Sequence, residues 1–140
     1  MFGLFKSKKK PTRAKILVVD DEPDYISTIQ RRLQWCHYDV IVATSGEEGL
    51  EKAADEKPDL VLLDTSMPVM NGHEMLERLR KHPDLNDIPV IMVTALCEVQ
   101  DIATASSYGI ADYVAKPFDF TELMEKIANA LENKRTLSDV

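Results

Sequence analysis

Five side chains suited to ionic chemistry stand directly after short apolar runs of this 140-residue sequence: Asp20, Asp21, Asp64, Thr94 and Lys116. Three of them are aspartates, and gathering like charges without compensation costs on the order of a few kcal/mol. A hard divalent cation removes that repulsion, and Mg²⁺ takes carboxylate ligands together with waters and phosphate. The hydroxyl and the ammonium would then face an anion. The set therefore indicates a Mg²⁺ site that holds or transfers a phosphoryl group.

The nucleophile of such a site is predicted to be Asp64. No cysteine or histidine stands at the ends of the apolar runs, and the sequence has no glycine-rich phosphate loop there. A carboxylate can itself accept phosphate as an acyl phosphate. Asp64 would lie between the acidic pair on one neighbouring strand and Thr94 on the other, which makes it the central carboxylate.

These side chains converge only if the apolar runs are parallel strands. Strands are predicted at 15–19, 39–43, 59–63, 90–93 and 111–115. Amphipathic helices are predicted from Pro23, over 47–55, after Gly72, over about 98–108, and from Phe118. Strands that are apolar on both faces are typical of a parallel sheet covered on both sides. We predict an open, doubly wound α/β sandwich of five strands and five helices, with its ligands outside the carboxyl ends of the strands.

Composition excludes several classes of protein. Hydrophobic residues make up 44% and charged residues 29%, as in ordinary globular domains. The longest apolar runs are too short to span a bilayer, and a formal net charge of −7 argues against direct nucleic-acid binding. Cys36 and Cys97 form no disulfide framework, and the amino terminus lacks the order of a secretory signal. We therefore expect a cytoplasmic protein.

The charge is divided unevenly along the chain. Residues 1–15 hold six basic and no acidic residues, which leaves 11 basic and 24 acidic residues in the remainder. We interpret 1–14 as a basic amino-terminal tail, expected to be disordered, 15–133 as the folded domain, and 134–140 as a carboxyl-terminal tail. Aromatic and aliphatic residues followed by lysines leave weak contact of residues 1–12 with an anionic membrane as an alternative.

Four motifs occur in order, each at a predicted strand end, and together they resemble the receiver domain of two-component response regulators. They are Ile-Leu-Val-Val-Asp-Asp-Glu-Pro at 16–23, Leu-Leu-Asp-Thr-Ser-Met-Pro-Val-Met-Asn-Gly at 62–72, Val-Thr-Ala at 93–95 and Lys-Pro-Phe at 116–118. The resemblance extends over about 15–133 and is closest to single-domain, chemotaxis-regulator-like receivers. It implies a flavodoxin-like three-layer sandwich.

The resemblance also implies roles for the residues of the site. Asp64 would be the phosphoacceptor, and Asp21 and Asp64 would bind Mg²⁺ directly together with the backbone carbonyl of Ser66. Asp20 would act on the metal through water. Lys116 would pair with the phosphoryl oxygens, and its peptide bond to the following proline would be cis.

The same resemblance implies a switch and its partners. Thr94 would move toward the phosphate, and Tyr113 would turn inward with it, although core packing explains Tyr113 equally well. The readout face would comprise the fourth helix, fifth strand and fifth helix. The donor would be a histidine kinase or histidine phosphotransfer protein, and the output an unidentified downstream protein or a phosphorylation-dependent dimer. Only limited self-catalysed phosphorylation and dephosphorylation is expected, and the short remainder after 133 predicts no DNA-binding output domain.

Rival interpretations are weaker. A Mg²⁺-dependent phosphohydrolase with an aspartate nucleophile would resemble this site, but it typically needs a second aspartate two residues later, where this chain has Ser66. A flavodoxin-like nucleotide binder would need a glycine- or serine-rich turn after the first strand, where three acids stand. The acids at 20–22 could also serve only as a helix cap, although that leaves Asp64, Thr94 and Lys116 unexplained.

Overall fold

The architecture is a five-stranded parallel sheet with helices on both faces. The computed structural model describes the backbone of residues 14–138 and the side chains of residues 14–134 except 101 and 104. The strands are β1 (Lys15–Val19), β2 (Asp39–Ala43), β3 (Leu60–Asp64), β4 (Val90–Ala95) and β5 (Asp112–Lys116). Their order in the sheet is β2-β1-β3-β4-β5, and every pairing is parallel. The predicted sheet is confirmed, and its carboxyl-terminal ends share one side, here termed the carboxyl edge.

Helices follow each strand. They are α1 (Pro23–Trp35), α2 (Gly46–Glu56), α3 (Gly72–Lys81), α4 (Ile102–Ser106) and α5 (Phe120–Ser138), with a 3-10 helix over Leu96–Asp101 before α4. Buried residues of α1 and α5 pack on one face of the sheet, and buried residues of α2, α3 and α4 pack on the other. The predicted doubly wound, three-layer arrangement is therefore correct. It places the amino terminus of every helix at the carboxyl edge.

The predicted fourth helix is wrong in form. One α-helix was expected over about 98–108, but a six-residue 3-10 helix begins before that segment, at Leu96, and ends at Asp101, and α4 has only five residues. The reason is the small number of anchoring side chains: Ile102 and Ala105 are buried, whereas Leu96 is 69% exposed. An α-helix this short has little stability of its own, because helix nucleation is costly. Gly109, which follows the segment, has a φ of 76° and so lies in the left-handed region.

The last helix begins later than predicted. It begins at Phe120 rather than 118, because the side chain of Asp119 accepts a hydrogen bond from the backbone N–H of Thr121 at 2.9 Å and caps the helix. It continues to Ser138, beyond the domain end predicted at 133. The amino-terminal tail at 1–14 lies almost wholly outside the described residues, so its predicted disorder and membrane contact stay predictions. Across the part of the chain that is described, no helix is both long and apolar enough to cross a membrane.

Candidate functional site

Three carboxylates meet at the carboxyl edge. Asp20 and Asp21 follow β1, Asp64 ends the adjacent β3, and one carboxylate oxygen of each lies within 4.8 Å of the others. Asp20 is 2% exposed and Asp64 is 7% exposed, whereas Asp21 is open to solvent. The parallel pairing of β1 with β3 therefore produces the acidic cluster that the sequence predicts.

One ammonium faces this cluster. Lys116 ends β5, and its Nζ lies 3.2 Å from Asp20 Oδ2 and 3.7 Å from Asp64 Oδ1. The predicted cis bond between Lys116 and Pro117 is present. Because one ammonium stands against three carboxylates, the described residues leave an excess of negative charge at this edge.

The excess charge affects the acid–base properties of Asp64. Burial, with a further contribution from the neighbouring Asp20, raises the pKa of the Asp64 carboxyl to about 6. The Lys116 ammonium opposes this rise in pKa, Asp21 adds to it, and a hydrogen bond from the backbone N–H of Ser66 opposes it. The ionised carboxylate is thus disfavoured in its present surroundings. Oxygen donors on an under-neutralised acidic cluster fit a hard cation such as Mg²⁺.

The two buried aspartates of the cluster are held differently. Asp20 Oδ1 accepts a hydrogen bond from the backbone N–H of Glu22 at 2.9 Å, and its Oδ2 pairs with Lys116. Both oxygens of Asp20 are therefore engaged by protein groups. Asp64 instead has its backbone closely packed: an added Cβ at Gly72 would lie 2.2 Å from the Asp64 carbonyl oxygen. Only glycine allows α3 to begin this close to the end of β3.

The predicted switch residues occupy separate places. Thr94 is 1% exposed at the end of β4, and its Oγ1 lies 3.3 Å from the Thr65 hydroxyl. The Thr65 hydroxyl also lies 3.5 Å from Glu98 Oε2. Tyr113 is half-buried on β5 and packs against the core on the α2–α3–α4 face, with Lys126 Nζ 5.3 Å from its ring centroid.

Sequence reasoning missed two neighbours of the site. Thr65 directly follows the predicted acceptor, and this adjacency in the sequence could have identified it. Tyr25 lies in the first turn of α1, four residues after Asp21, and the Lys116 ammonium stands 4.0 Å from its ring centroid. Burial, together with the charges of Asp20, Asp64 and Glu22, raises the pKa of the Tyr25 phenol, which keeps the ring neutral beside the carboxylates.

Comparison with known proteins gives a consistent family. The sequence model of the family described as "Response regulator receiver domain" matches residues 16–128. Curated relatives include "Probable transcriptional regulator ycf27" of Porphyridium aerugineum, 42% identical over 85% of this chain and 48% of the relative. The "Alkaline phosphatase synthesis transcriptional regulatory protein PhoP" of Bacillus subtilis is 41% identical over 81% of this chain and 46% of the relative. The chain spans about half the length of these curated relatives.

Solved structures agree with the sequence relatives. A response regulator receiver domain protein of Clostridium thermocellum superposes with a TM-score of 0.83 at 30% identity, over 89% of this chain and 98% of that chain. The chemotaxis protein CheY4 of Vibrio cholerae gives a TM-score of 0.78 at 28% identity, over 84% of this chain and 98% of that chain. The predicted flavodoxin-like sandwich is the fold of these proteins.

Proposed function

The chain belongs to the response regulator receiver domain family of two-component signalling, and on that premise we propose that it is a phosphorylation-dependent switch whose acceptor is Asp64. The observation that supports this function is the charge imbalance at the carboxyl edge. Three carboxylates share one ammonium there, and the central carboxylate is 7% exposed. Such a cluster favours a bound cation and, beyond it, an anion that the ammonium can reach.

Mg²⁺ is the proposed cofactor, held by the carboxylates of Asp21 and Asp64 and by the backbone carbonyl of Ser66. Asp20 is proposed to act through water, because both of its oxygens are engaged by Glu22 and Lys116. When bound, the cation neutralises charge on the carboxylates and on the phosphoryl oxygens. The exposure of Asp21 supports its role as the ligand nearest to solvent.

The proposed reaction is transfer of a phosphoryl group from a phosphohistidine to Asp64. A carboxylate oxygen of Asp64 attacks phosphorus, a phosphorus–oxygen bond forms, and the phosphorus–nitrogen bond to the donor imidazole breaks with its electron pair. Lys116 exchanges its pairing with Asp64 for pairing with a phosphoryl oxygen, over a distance that begins at 3.7 Å. Hydrolysis of the acyl phosphate by water later restores the carboxylate, so catalysis is limited to the domain's own modification.

The output is proposed to be a change of protein surface. Once Asp64 carries a phosphoryl group, the Thr94 hydroxyl would leave Thr65 and bond a phosphoryl oxygen. Movement at the end of β4 would then reach the short helices that follow it and Tyr113 on β5. The surface formed by α4, β5 and α5 is therefore the proposed readout face, and the weak anchoring of α4 supports its capacity to move.

The proposed partners follow from this chemistry. The donor is a histidine kinase or a histidine phosphotransfer protein, and the receiver of the signal is a downstream protein or a second copy of this chain. Protein contacts rather than direct nucleic-acid contacts are proposed for these residues, because residues 16–140 hold far more acids than bases. We place this exchange in the cytoplasm.

Incubation with acetyl phosphate and Mg²⁺, followed by intact mass measurement, tests the function. We expect one phosphate adduct on the wild-type chain and none on Asp64→Asn. The matched control is Asp55→Asn, which removes an exposed carboxylate of α2 and should leave the adduct unchanged. Chelation of Mg²⁺ should abolish the adduct in the wild type and in Asp55→Asn. An adduct that survives Asp64→Asn, or a wild-type chain that stays unmodified, would contradict the proposal.

A further inference from the structure

We propose that Tyr25 is a positioning residue for Lys116, and that its ring holds the ammonium at the carboxyl edge throughout phosphoryl transfer. The inference rests on the proposed function, because that function assigns Lys116 to the phosphoryl oxygens. It concerns a side chain that neither the motifs nor the acidic cluster single out. The chemistry involved is attraction between a cation and the face of an aromatic ring.

The geometry places the Lys116 ammonium between a ring and two carboxylates. Its Nζ lies 4.0 Å from the Tyr25 ring centroid, 3.2 Å from Asp20 Oδ2 and 3.7 Å from Asp64 Oδ1. A cation within about 6 Å of a ring centroid is attracted by the ring quadrupole, more strongly where water is excluded. The Lys116 side chain is 30% exposed, so the ring replaces part of its solvent shell.

The chain fixes the ring from two sides. Pro23 begins α1 two residues after Asp21, with Glu22 as the N-cap, which places Tyr25 in the first turn at the carboxyl edge. The Phe118 ring stands edge-on to Tyr25, with centroids 6.3 Å apart and planes at 87°. Lys116 and Phe118 flank a single proline, so the last residue of β5 and the second residue after it both contact the same ring. Both aromatic residues also pack against the core on the α1–α5 face.

A ring contributes something that a carboxylate cannot. Asp20 and Asp64 attract Lys116 but also neutralise it, and the Asp64 carboxylate gives up its charge when it becomes an acyl phosphate. The Tyr25 ring is neutral, so it holds the ammonium without cancelling the charge that must meet the phosphoryl oxygens. It also shields one side of the ammonium from water, which strengthens the attraction for a phosphoryl oxygen.

Phosphorylation rates test this role through a conservative pair of variants. Tyr25→Phe keeps the ring and removes the hydroxyl, whereas Tyr25→Leu removes the ring and keeps an apolar side chain. With acetyl phosphate and Mg²⁺, we expect Tyr25→Leu to slow adduct formation about tenfold and Tyr25→Phe to change it less than about twofold. The matched control is Phe120→Leu, which removes the ring that lies 5.0 Å from the Arg32 guanidinium and should leave the rate unchanged.

The lysine side-chain NMR spectrum tests the contact itself, without phosphate or Mg²⁺. Ring current should shift the ε-methylene protons of Lys116 upfield in the wild type and in Tyr25→Phe, and Tyr25→Leu should remove the shift. Lys116→Gln identifies the signal by its disappearance. If Tyr25→Leu fails to fold, Tyr25→Met replaces it in both measurements.

Three results would overturn the inference: an unshifted Lys116 signal in the wild type, an equal loss of rate in Tyr25→Phe and Tyr25→Leu, or a normal rate in Tyr25→Leu. A shifted Lys116 signal in a wild-type chain that takes up no phosphate would instead contradict the proposed function. The contact between the ring and the ammonium would then be present, but Asp64 would not accept a phosphoryl group. The two failures are therefore distinguishable.

Discussion

At the amino-terminal side of the sheet, here termed the amino edge, the Arg80 guanidinium donates hydrogen bonds to backbone carbonyls, whereas at the carboxyl edge three carboxylates share one ammonium. The guanidinium of Arg80, at the end of α3, bonds carbonyl oxygens at distances from 2.7 to 3.3 Å. These oxygens belong to Asn86, Ile88, Tyr108 and Gly109. Burial lowers the pKa of Arg80, although a guanidinium still stays charged at any physiological pH.

The two edges differ in how far protein groups compensate the charges that lie there. At the amino edge, fixed carbonyl dipoles satisfy the guanidinium and join α3 to the segments before β4 and β5. At the carboxyl edge, protein groups compensate only part of the charge, and burial together with the neighbouring Asp20 raises the pKa of Asp64. A cluster of carboxylates whose charge is left under-compensated is a candidate for ligand binding.

The largest stability effect is expected from Arg80→Met. The substitution keeps much of the apolar stem but leaves the part-buried carbonyls of Ile88 and Tyr108 without this donor. The free energy of unfolding should therefore fall by about 2 kcal/mol. Urea denaturation of the chain measures it. Arg78→Met is the matched control, because Arg78 is exposed on the same helix and its loss should change little. If both variants lowered the free energy of unfolding equally, the hydrogen bonds from Arg80 to the carbonyls would contribute no stability of their own, and the proposed contrast between the two edges would be wrong.

A smaller effect is expected from Mg²⁺ at the opposite edge. A ligand that binds only the folded state, at ten times its dissociation constant, raises the free energy of unfolding by about 1.4 kcal/mol. Thermal unfolding with and without Mg²⁺ measures it. Asp64→Asn and Asp21→Asn should each reduce this gain, while Arg78→Met should preserve it. An equal gain in Asp64→Asn would place the cation elsewhere.

The smallest effect is expected from pH, in the absence of divalent cations. The folded pKa of Asp64, about 6, lies above the ordinary value of 3.8. The folded state therefore binds the proton more tightly, and the penalty from ionised Asp64 is absent below about pH 4, grows as pH rises toward 6, and is complete above it. Asp64→Asn should remove this penalty, about 1 kcal/mol after allowance for solvent screening.

Urea denaturation at pH 5 and pH 8 in chelator measures the effect as a difference between Asp64→Asn and the wild type. We expect Asp64→Asn to be the more stable protein at pH 8, with the margin shrinking at pH 5. A wild type that is more stable than Asp64→Asn at pH 8 would mean that Lys116 fully compensates the cluster. Protein groups would then compensate the charge at the carboxyl edge as fully as they do at the amino edge.

Most of the fold could be predicted from the sequence because its strands are short, apolar and regularly separated. The acidic cluster and Lys116 could be predicted from the same pattern, since parallel strands bring their carboxyl ends together. The form of the fourth helix could not be predicted. Of the side chains described between 98 and 108, Ile102 and Ala105 are the buried hydrophobic ones, and local periodicity does not show that so few buried side chains are available to hold an α-helix. Arg80 was missed for a related reason: its acceptors are backbone carbonyls, which carry no signature in side-chain types.

The sequence alone determined the order of elements and which residue types stand at each strand end, because both depend on local periodicity and on chain order. Tertiary structure decided which of those groups touch and how far their charges are compensated. The distance between Lys116 and Asp20, 96 residues apart, depends on strand order in the sheet. The ring of Tyr25 under Lys116 depends on how α1 packs beside the segment after β5. Contact across the sheet is a property of packing, and packing is non-local.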